Sequence, residues 1–102
     1  MMIHKDNRWH CKNYTDWVKS LPCCVSGEQA DDPHHIKPSD GVKPSDIWTI
    51  PLTRELHAEL HAIGWQSFEY QYAMSQLEQA RRTINQAISE GVLRFEKVPK
   101  CS

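Results

Sequence analysis

The alternation of apolar and polar residues in the first third of the chain predicts one amphipathic helix. Its apolar side chains recur at helical spacing and form a single stripe, made of Tyr14, Trp17, Val18 and Leu21. We expect this helix to begin at Asn13 or Thr15, because either side chain can cap the first turn, and to end before Pro22. The stripe is expected to pack against the core.

Two short apolar runs after this helix are typical of β-strands. Residues 33–36 read as extended, and a Ser-Gly turn before them joins them to the β-prone residues 23–25 in a small hairpin. A loop rich in Pro, Gly, Ser and Asp covers 37–45. The second strand is expected at 47–50, where Pro51 ends it.

Capping residues and glycines divide the second half of the chain into three helices. Thr53 is placed to cap a helix over 54–62, which Gly64 ends, and a short aromatic-rich helix follows. A capping box at Ser75 opens a longer helix that runs to about Glu90. The buried face of this last helix is predicted to consist of Leu77, Ala80, Ile84, Ala87 and Ile88.

These elements, with a further strand expected at 93–95, define an α+β fold in a chain of 102 residues, the size of one domain. Residues 1–12 are polar and without periodicity, so we expect a flexible arm there and a single domain at 13–102. The net charge of −1 excludes a basic nucleic-acid coat and argues against strong DNA binding by charge alone. No apolar run has the length of a signal peptide or a membrane span, so we expect a cytoplasmic protein without a membrane partner.

The four cysteines do not predict a disulfide framework or a zinc finger. Cys23 and Cys24 are adjacent, whereas paired zinc ligands are separated by two to four residues. Cys11 and Cys101 lie near the two ends of the chain. In a cytoplasmic protein we expect all four thiols to be reduced.

Four of the six histidines lie in two pairs. His57 and His61 are one turn apart on a predicted helix, a spacing that can chelate one metal ion. His34 and His35 are neighbours on an extended segment, so their side chains point to opposite sides. One of these two rings can complete a metal site while the other stays free for proton transfer. Taken alone, the helical pair fits a solvated helix surface equally well.

The order of these motifs resembles a known family of nucleases. His-His-x-x-Pro at 34–38, a Gly-containing loop, a strand, and His-x-x-x-His at 57–61 resemble the ββα-metal (HNH, or His-Me finger) endonucleases. The segments 21–23 and 43–52 look like the phage recombination-enhancement (Ref) nucleases and their prophage relatives. The resemblance covers about residues 14–70.

This resemblance implies a ββα core at about 30–63 and a role for each paired histidine. His35 matches the general base, because it precedes Ile-x-Pro as the base of that family does. The matching metal-ligand positions are His34, His57 and His61. Asp32 is a competing ligand, since a carboxylate suits a hard metal better than a third imidazole. One divalent ion is implied, with Mg²⁺ or Mn²⁺ expected in function and Zn²⁺ or Ni²⁺ as alternatives in a purified sample.

Two features depart from the wider family. Many members hold a structural zinc ion with four cysteines, of which only Cys23 is present here. The other three positions are Ser26, Thr53 and Leu56. We therefore expect no structural zinc site. Trp48 stands where an asparagine is usual, and Asp46 is an alternative for bracing the loop.

The function that the resemblance implies is metal-dependent endonuclease cleavage of DNA in phage or prophage recombination. Lys37, Lys43 and Arg54 flank the motifs and are expected to hold phosphates, with ordinary solvated charges as the alternative. The Ref resemblance implies a recombinase filament that delivers the chain to DNA. A catalytically inactive metal-binding or DNA-binding accessory module is the alternative function. The sequence leaves the oligomeric state and the choice between DNA and RNA open.

Overall fold

The structure, a computed structural model, describes residues 8–37 and 43–94. Within these ranges the chain is α+β, as predicted, with four helices and one two-stranded sheet. The elements in chain order are α1 (Lys12–Lys19), β1 (Asp32–His35), β2 (Thr49–Leu52), α2 (Arg54–Ile63), α3 (Trp65–Tyr72) and α4 (Gln76–Ser89). The two strands and the helix that follows them directly supply the residues of the candidate site.

Helix α1 has Cys11 as its N-cap, and the side chain of Cys11 makes no capping hydrogen bond. The prediction that Asn13 or Thr15 caps the first turn is therefore wrong. The cause is a tertiary contact, since the carboxylate of Asp46 accepts a hydrogen bond of 2.7 Å from the Cys11 N–H. This distant carboxylate satisfies a backbone donor at the helix start, where a local side chain was expected to act.

The strands β1 and β2 pair antiparallel, with His34 opposite Ile50. Strand β2 begins two residues later than predicted and includes Pro51, which was expected to end it. Pro51 lies opposite Pro33. The N–H of Ile36 donates to the carbonyl of Trp48 at 2.9 Å, so Ile36 and Trp48 form a hydrogen-bonded pair. Hydrogen-bonded and non-hydrogen-bonded pairs alternate along an antiparallel ladder. The two prolines therefore face each other at a position where no N–H is required.

The predicted hairpin before β1 is present only as a turn. Residues 23–25 form no strand, and Pro22 and Gln29 are joined by an isolated antiparallel bridge. Gly27 adopts a φ of 77°, which a side-chain-bearing residue rarely takes.

The boundaries of α2 match the predicted signals. The Thr53 side chain accepts a hydrogen bond of 3.3 Å from the Leu56 N–H, which confirms it as the N-cap. Asp31 adds a second cap, because its carboxylate accepts from the Arg54 N–H at 3.0 Å. Gly64 ends the helix with a φ of 86°, as predicted. The start of α2, and with it the position of the helical histidines, is therefore held by two side chains.

Helix α4 begins after Ser75, whose hydroxyl accepts from the Glu78 N–H at 3.2 Å. Its buried residues are Gln76, Ala80, Thr83 and Ala87. The predicted face is therefore wrong in part, because Leu77 and Ile88 are 51% and 45% exposed. Small side chains let α4 lie close to β2, which turns the bulkier residues outward. The strand expected at 93–95 is absent at 93 and 94, and residue 95 lies outside the described ranges.

Two apolar clusters hold these elements together. The larger one is formed by Cys23, Ile36, Ile50, Leu52, Leu60, Phe68 and Ala80. The smaller one, Tyr14, Val18 and Ala87, joins α1 to α4. Leu60 belongs to the larger cluster and lies between His57 and His61 in the sequence of α2. The packing of Leu60 in the core therefore fixes the rotation of that helix.

None of the helices in the described part of the chain has the length and hydropathy needed to cross a bilayer.

Candidate metal centre

Three imidazole rings converge between β1 and α2. The ring centroid of His57 lies 4.8 Å from that of His34 and 4.8 Å from that of His61, and the third separation is 5.7 Å. One ring nitrogen from each histidine can be chosen so that all three lie within 4.8 Å of one another. We call these residues the histidine trio.

The secondary structure explains why these three rings meet. His57 and His61 are four residues apart on α2, so both rings lie on one face of the helix. His34 is only 6% exposed and lies in β1, directly opposite the buried Ile50 of β2. The antiparallel pair leads straight into α2 through Thr53, and this short connection places the helix face over His34.

Two rings of the trio make a further hydrogen bond that fixes where their protons lie. Nδ1 of His57 lies 3.1 Å from Oδ2 of Asp32, and Nε2 of His34 lies 2.9 Å from Oε1 of Gln76. Both oxygens are acceptors, so these ring nitrogens donate. The lone pairs are then on Nε2 of His57 and Nδ1 of His34. Such outer hydrogen bonds orient metal-ligating histidines in many proteins.

The sequence made Asp32 a competing metal ligand, whereas in the structure its carboxylate accepts a hydrogen bond from His57. The trio itself consists of histidines alone. Gln76 was missed by sequence reasoning. It is the first residue of α4 and only 7% exposed, and nothing in its local sequence indicates that it reaches β1.

The ring of His61 faces the ring of His57 on the surface of α2. Nε2 of His61 lies 3.1 Å from Nε2 of His57. Two nitrogen ligands of a tetrahedral zinc ion with bonds of about 2.0–2.1 Å are about 3.3 Å apart. The spacing on α2 is thus close to what two ligands of one ion require.

Burial determines the charge state of His34. Desolvation lowers the pKa of His34 to about 4, and the nearby imidazoles of His57 and His61 lower it further, against the opposing effect of the Gln76 hydrogen bond. His34 is therefore neutral at physiological pH, which is the form that binds metal ions.

His35 lies on the other side of β1 from the trio. Its side chain is 43% exposed, whereas that of its neighbour His34 is buried. This alternation is the one that the extended segment predicts. Nε2 of His35 lies 2.8 Å from Oδ1 of Asp46. The partner of this ring is a carboxylate, and sequence reasoning, which considered Asp46 only for bracing the loop, did not anticipate the contact.

The three predicted phosphate-binding residues are exposed. Nη2 of Arg54 lies 3.7 Å from Oδ1 of Asp32, and the Arg54 side chain is 75% exposed. Lys37 and Lys43 are exposed on either side of residues 38–42, which lie outside the described ranges. Of these three residues, Arg54 is the one that contacts Asp32, the hydrogen-bond partner of His57 in the trio.

The positions that depart from the wider family have structural roles here. Trp48 packs against the larger apolar cluster. The Cys23 thiol accepts a hydrogen bond of 3.5 Å from the Ser26 N–H, and Thr53 caps α2. Cys11, Cys23 and Cys24 are free thiols in the described part of the chain, and Cys101 lies outside it.

Comparison with known proteins places the chain in a family. It belongs to the family described as "Protein of unknown function (DUF968)", which matches residues 1–91. It is similar to "Uncharacterized protein YdfU" of Escherichia coli (strain K12), with 42% identity over 97 aligned residues. The match covers 91% of this chain but 27% of that relative, so the chain spans about a quarter of the relative's length. No solved structure matches the chain significantly.

Proposed function

We propose that this chain is a metal-dependent endonuclease that hydrolyses phosphodiester bonds of DNA. The observation that carries the proposal is the placement of histidines on both sides of β1. On one side three rings converge, with one nitrogen of each within 4.8 Å of the others, and the exposed ring of His35 lies on the other side. A strand, a second strand and a helix in this order also agree with the resemblance to the HNH endonucleases.

The trio fits a divalent cation. Each ring can offer one nitrogen, and one nitrogen of two of the rings is hydrogen-bonded to Asp32 or Gln76. When bound, the ion would neutralise charge on the scissile phosphate and stabilise the leaving 3′ oxygen. Three protein ligands leave further positions for water and phosphate, as in catalytic metal sites generally.

His35 is suited to take the proton from the attacking water. Its ring is open to solvent, and one nitrogen is oriented by Asp46. A neutral imidazole can accept a proton and so act as a general base. As the water oxygen bonds to phosphorus, its proton passes to His35, and the bond from phosphorus to the 3′ oxygen breaks. Arg54, next to the trio, is placed to hold a neighbouring phosphate.

A plasmid-nicking assay tests this proposal. The wild type, His35→Ala and His57→Ala are freed of metal and supplied in turn with Mg²⁺, Mn²⁺, Ni²⁺ or Zn²⁺. We expect the wild type to cut, His35→Ala to bind metal with unchanged affinity but to lose cleavage, and His57→Ala to lose metal binding as well.

The same experiment separates the nuclease from the alternative. Metal binding by a wild-type chain that cuts no DNA, with or without a recombinase filament, would contradict the nuclease proposal and favour an accessory module. Cleavage by His35→Ala at the wild-type rate would contradict the assignment of the base.

A further inference from the structure

The carboxylate of Asp46 joins the ring of His35 to the backbone at the start of α1. Oδ1 of Asp46 lies 2.8 Å from Nε2 of His35, and Oδ2 lies 2.7 Å from the backbone N of Cys11. With both oxygens engaged, the carboxylate has one defined orientation. Its side chain is 14% exposed, against 43% for the imidazole that it contacts.

The backbone around Asp46 is held as firmly as its side chain. The Asp46 N–H donates to the carbonyl of Trp9 at 2.9 Å, and the Trp9 N–H donates to the hydroxyl of Ser45 at 2.9 Å. The Thr49 hydroxyl donates to the Asp46 carbonyl at 2.8 Å. Residues 9–11, expected to belong to a flexible arm, thus form a brace that fixes the loop before β2.

We propose that Asp46 is a positioning residue that holds His35 in the tautomer protonated on Nε2, so that Nδ1 is the nitrogen that accepts the proton from water. An ionised carboxylate only accepts hydrogen bonds, so Nε2 must donate, and the lone pair of the neutral ring is then on Nδ1. The consequence for catalysis rests on the proposed nuclease function. The tautomer itself is a property of the folded chain.

The charge of Asp46 agrees with this role. Burial opposes its ionisation, but the hydrogen bonds from His35 and the Cys11 N–H lower the pKa of the carboxyl below its ordinary value. The start of α1 adds a favourable dipole. Asp46 therefore remains an acceptor at neutral pH.

Two substitutions of Asp46 distinguish a positioning role from a structural role, because the two roles predict opposite orders of activity for the variants. In Asp46→Asn, the Cys11 N–H can only donate, so the amide oxygen must stay at the position that accepts from it. The amide NH₂ then faces His35. The ring must then accept on Nε2 and carry its proton on Nδ1, as happens when an amide replaces the carboxylate beside a catalytic histidine. In Asp46→Ala, neither tautomer is imposed.

We expect the isosteric variant to be the poorer enzyme. At saturating plasmid and Mn²⁺, kcat should fall at least about 100-fold in Asp46→Asn and about 10-fold in Asp46→Ala, with KM changed little in both. A merely structural role predicts the reverse order, because the alanine variant loses more contacts. Thermal unfolding of both variants reports the structural loss separately.

The imidazole ¹⁵N shifts of His35 at pH 8 provide a readout that does not depend on cleavage, with the signals assigned by comparison with His35→Gln. We expect protonation on Nε2 in the wild type and on Nδ1 in Asp46→Asn. Ser45→Ala is the matched control, since it removes a bond of the same brace and leaves the carboxylate intact, and it should keep the wild-type tautomer and kcat.

Wild-type His35 protonated on Nδ1, or Asp46→Asn more active than Asp46→Ala, would overturn the proposal. If the wild type cuts no DNA, the nuclease function fails, while the ¹⁵N shifts still decide the tautomer. If Asp46→Ala does not fold, the asparagine variant and the Ser45→Ala control still decide.

Discussion

Oε1 of Gln76 lies 2.9 Å from Nε2 of His34, and this hydrogen bond joins the first residue of α4 to a strand 42 positions earlier in the chain. Both side chains are buried. The contact makes α4 a part of the candidate metal centre, because it places the proton of the neutral His34 ring on Nε2 and leaves the lone pair on Nδ1.

The replacement Gln76→Ala should weaken metal binding about 10- to 100-fold, since a ligand that loses its outer hydrogen bond is no longer held in one orientation. Calorimetric titration of the metal-free chain with Ni²⁺ or Zn²⁺ measures this affinity. Gln79→Ala, on the same helix, is the control and should bind as the wild type does. Equal affinity in both variants would show that the hydrogen bond plays no part in metal binding.

Arg54→Ala should weaken binding of duplex DNA and reduce the slope of log K against log salt concentration by about 1, because one phosphate contact is lost. Fluorescence anisotropy at several salt concentrations gives both quantities. Arg82→Ala removes an exposed arginine of α4 that pairs with Glu78, and it should leave the slope unchanged. The same reduction in both variants would indicate a general charge effect and no local contact at Arg54.

Tyr14 should make the chain sensitive to alkaline pH. Burial raises the pKa of Tyr14 to about 12 from its ordinary value of 10.0, so the unfolded chain ionises first as the pH rises. The free energy of unfolding should therefore fall between pH 10 and 12, by up to about 3 kcal/mol from this group. Urea unfolding across this range measures the effect.

Tyr14→Phe is the control for that experiment. The Tyr14 hydroxyl is buried and has no hydrogen-bond partner among the described residues. Its removal should cost little at pH 7 and should flatten the alkaline decline. A variant with the same decline as the wild type would assign the effect to other titrating groups.

Phe68→Ala should lower the free energy of unfolding by about 3–5 kcal/mol, because this ring is fully buried in the larger cluster and its removal leaves a cavity. Trp65→Ala, in the same helix, removes a ring that is 57% exposed, and we expect a change of about 0.5 kcal/mol. Denaturant unfolding compares the two. Similar losses would contradict the burial that the structure assigns to α3.

Local sequence signals predicted the four helices, the two paired strands and part of the candidate site, although not every boundary. Thr53 and Gly64 bound α2, and the four-residue spacing of His57 and His61 places both rings on one helix face. The adjacency of His34 and His35 in an extended segment assigns them to opposite sides. These properties depend on backbone geometry over a few residues, and they can be read without knowledge of the fold.

Only the tertiary structure decided which side chains complete the site and which faces are buried. Gln76 and Asp46 reach the histidines from other elements, and no local pattern encodes such contacts. The buried face of α4 followed from its close approach to β2, which favours Ala80 over the bulkier Leu77. Hydrogen-bond partners and packing faces depend on how the elements meet in space, whereas periodicity and capping depend on each element alone.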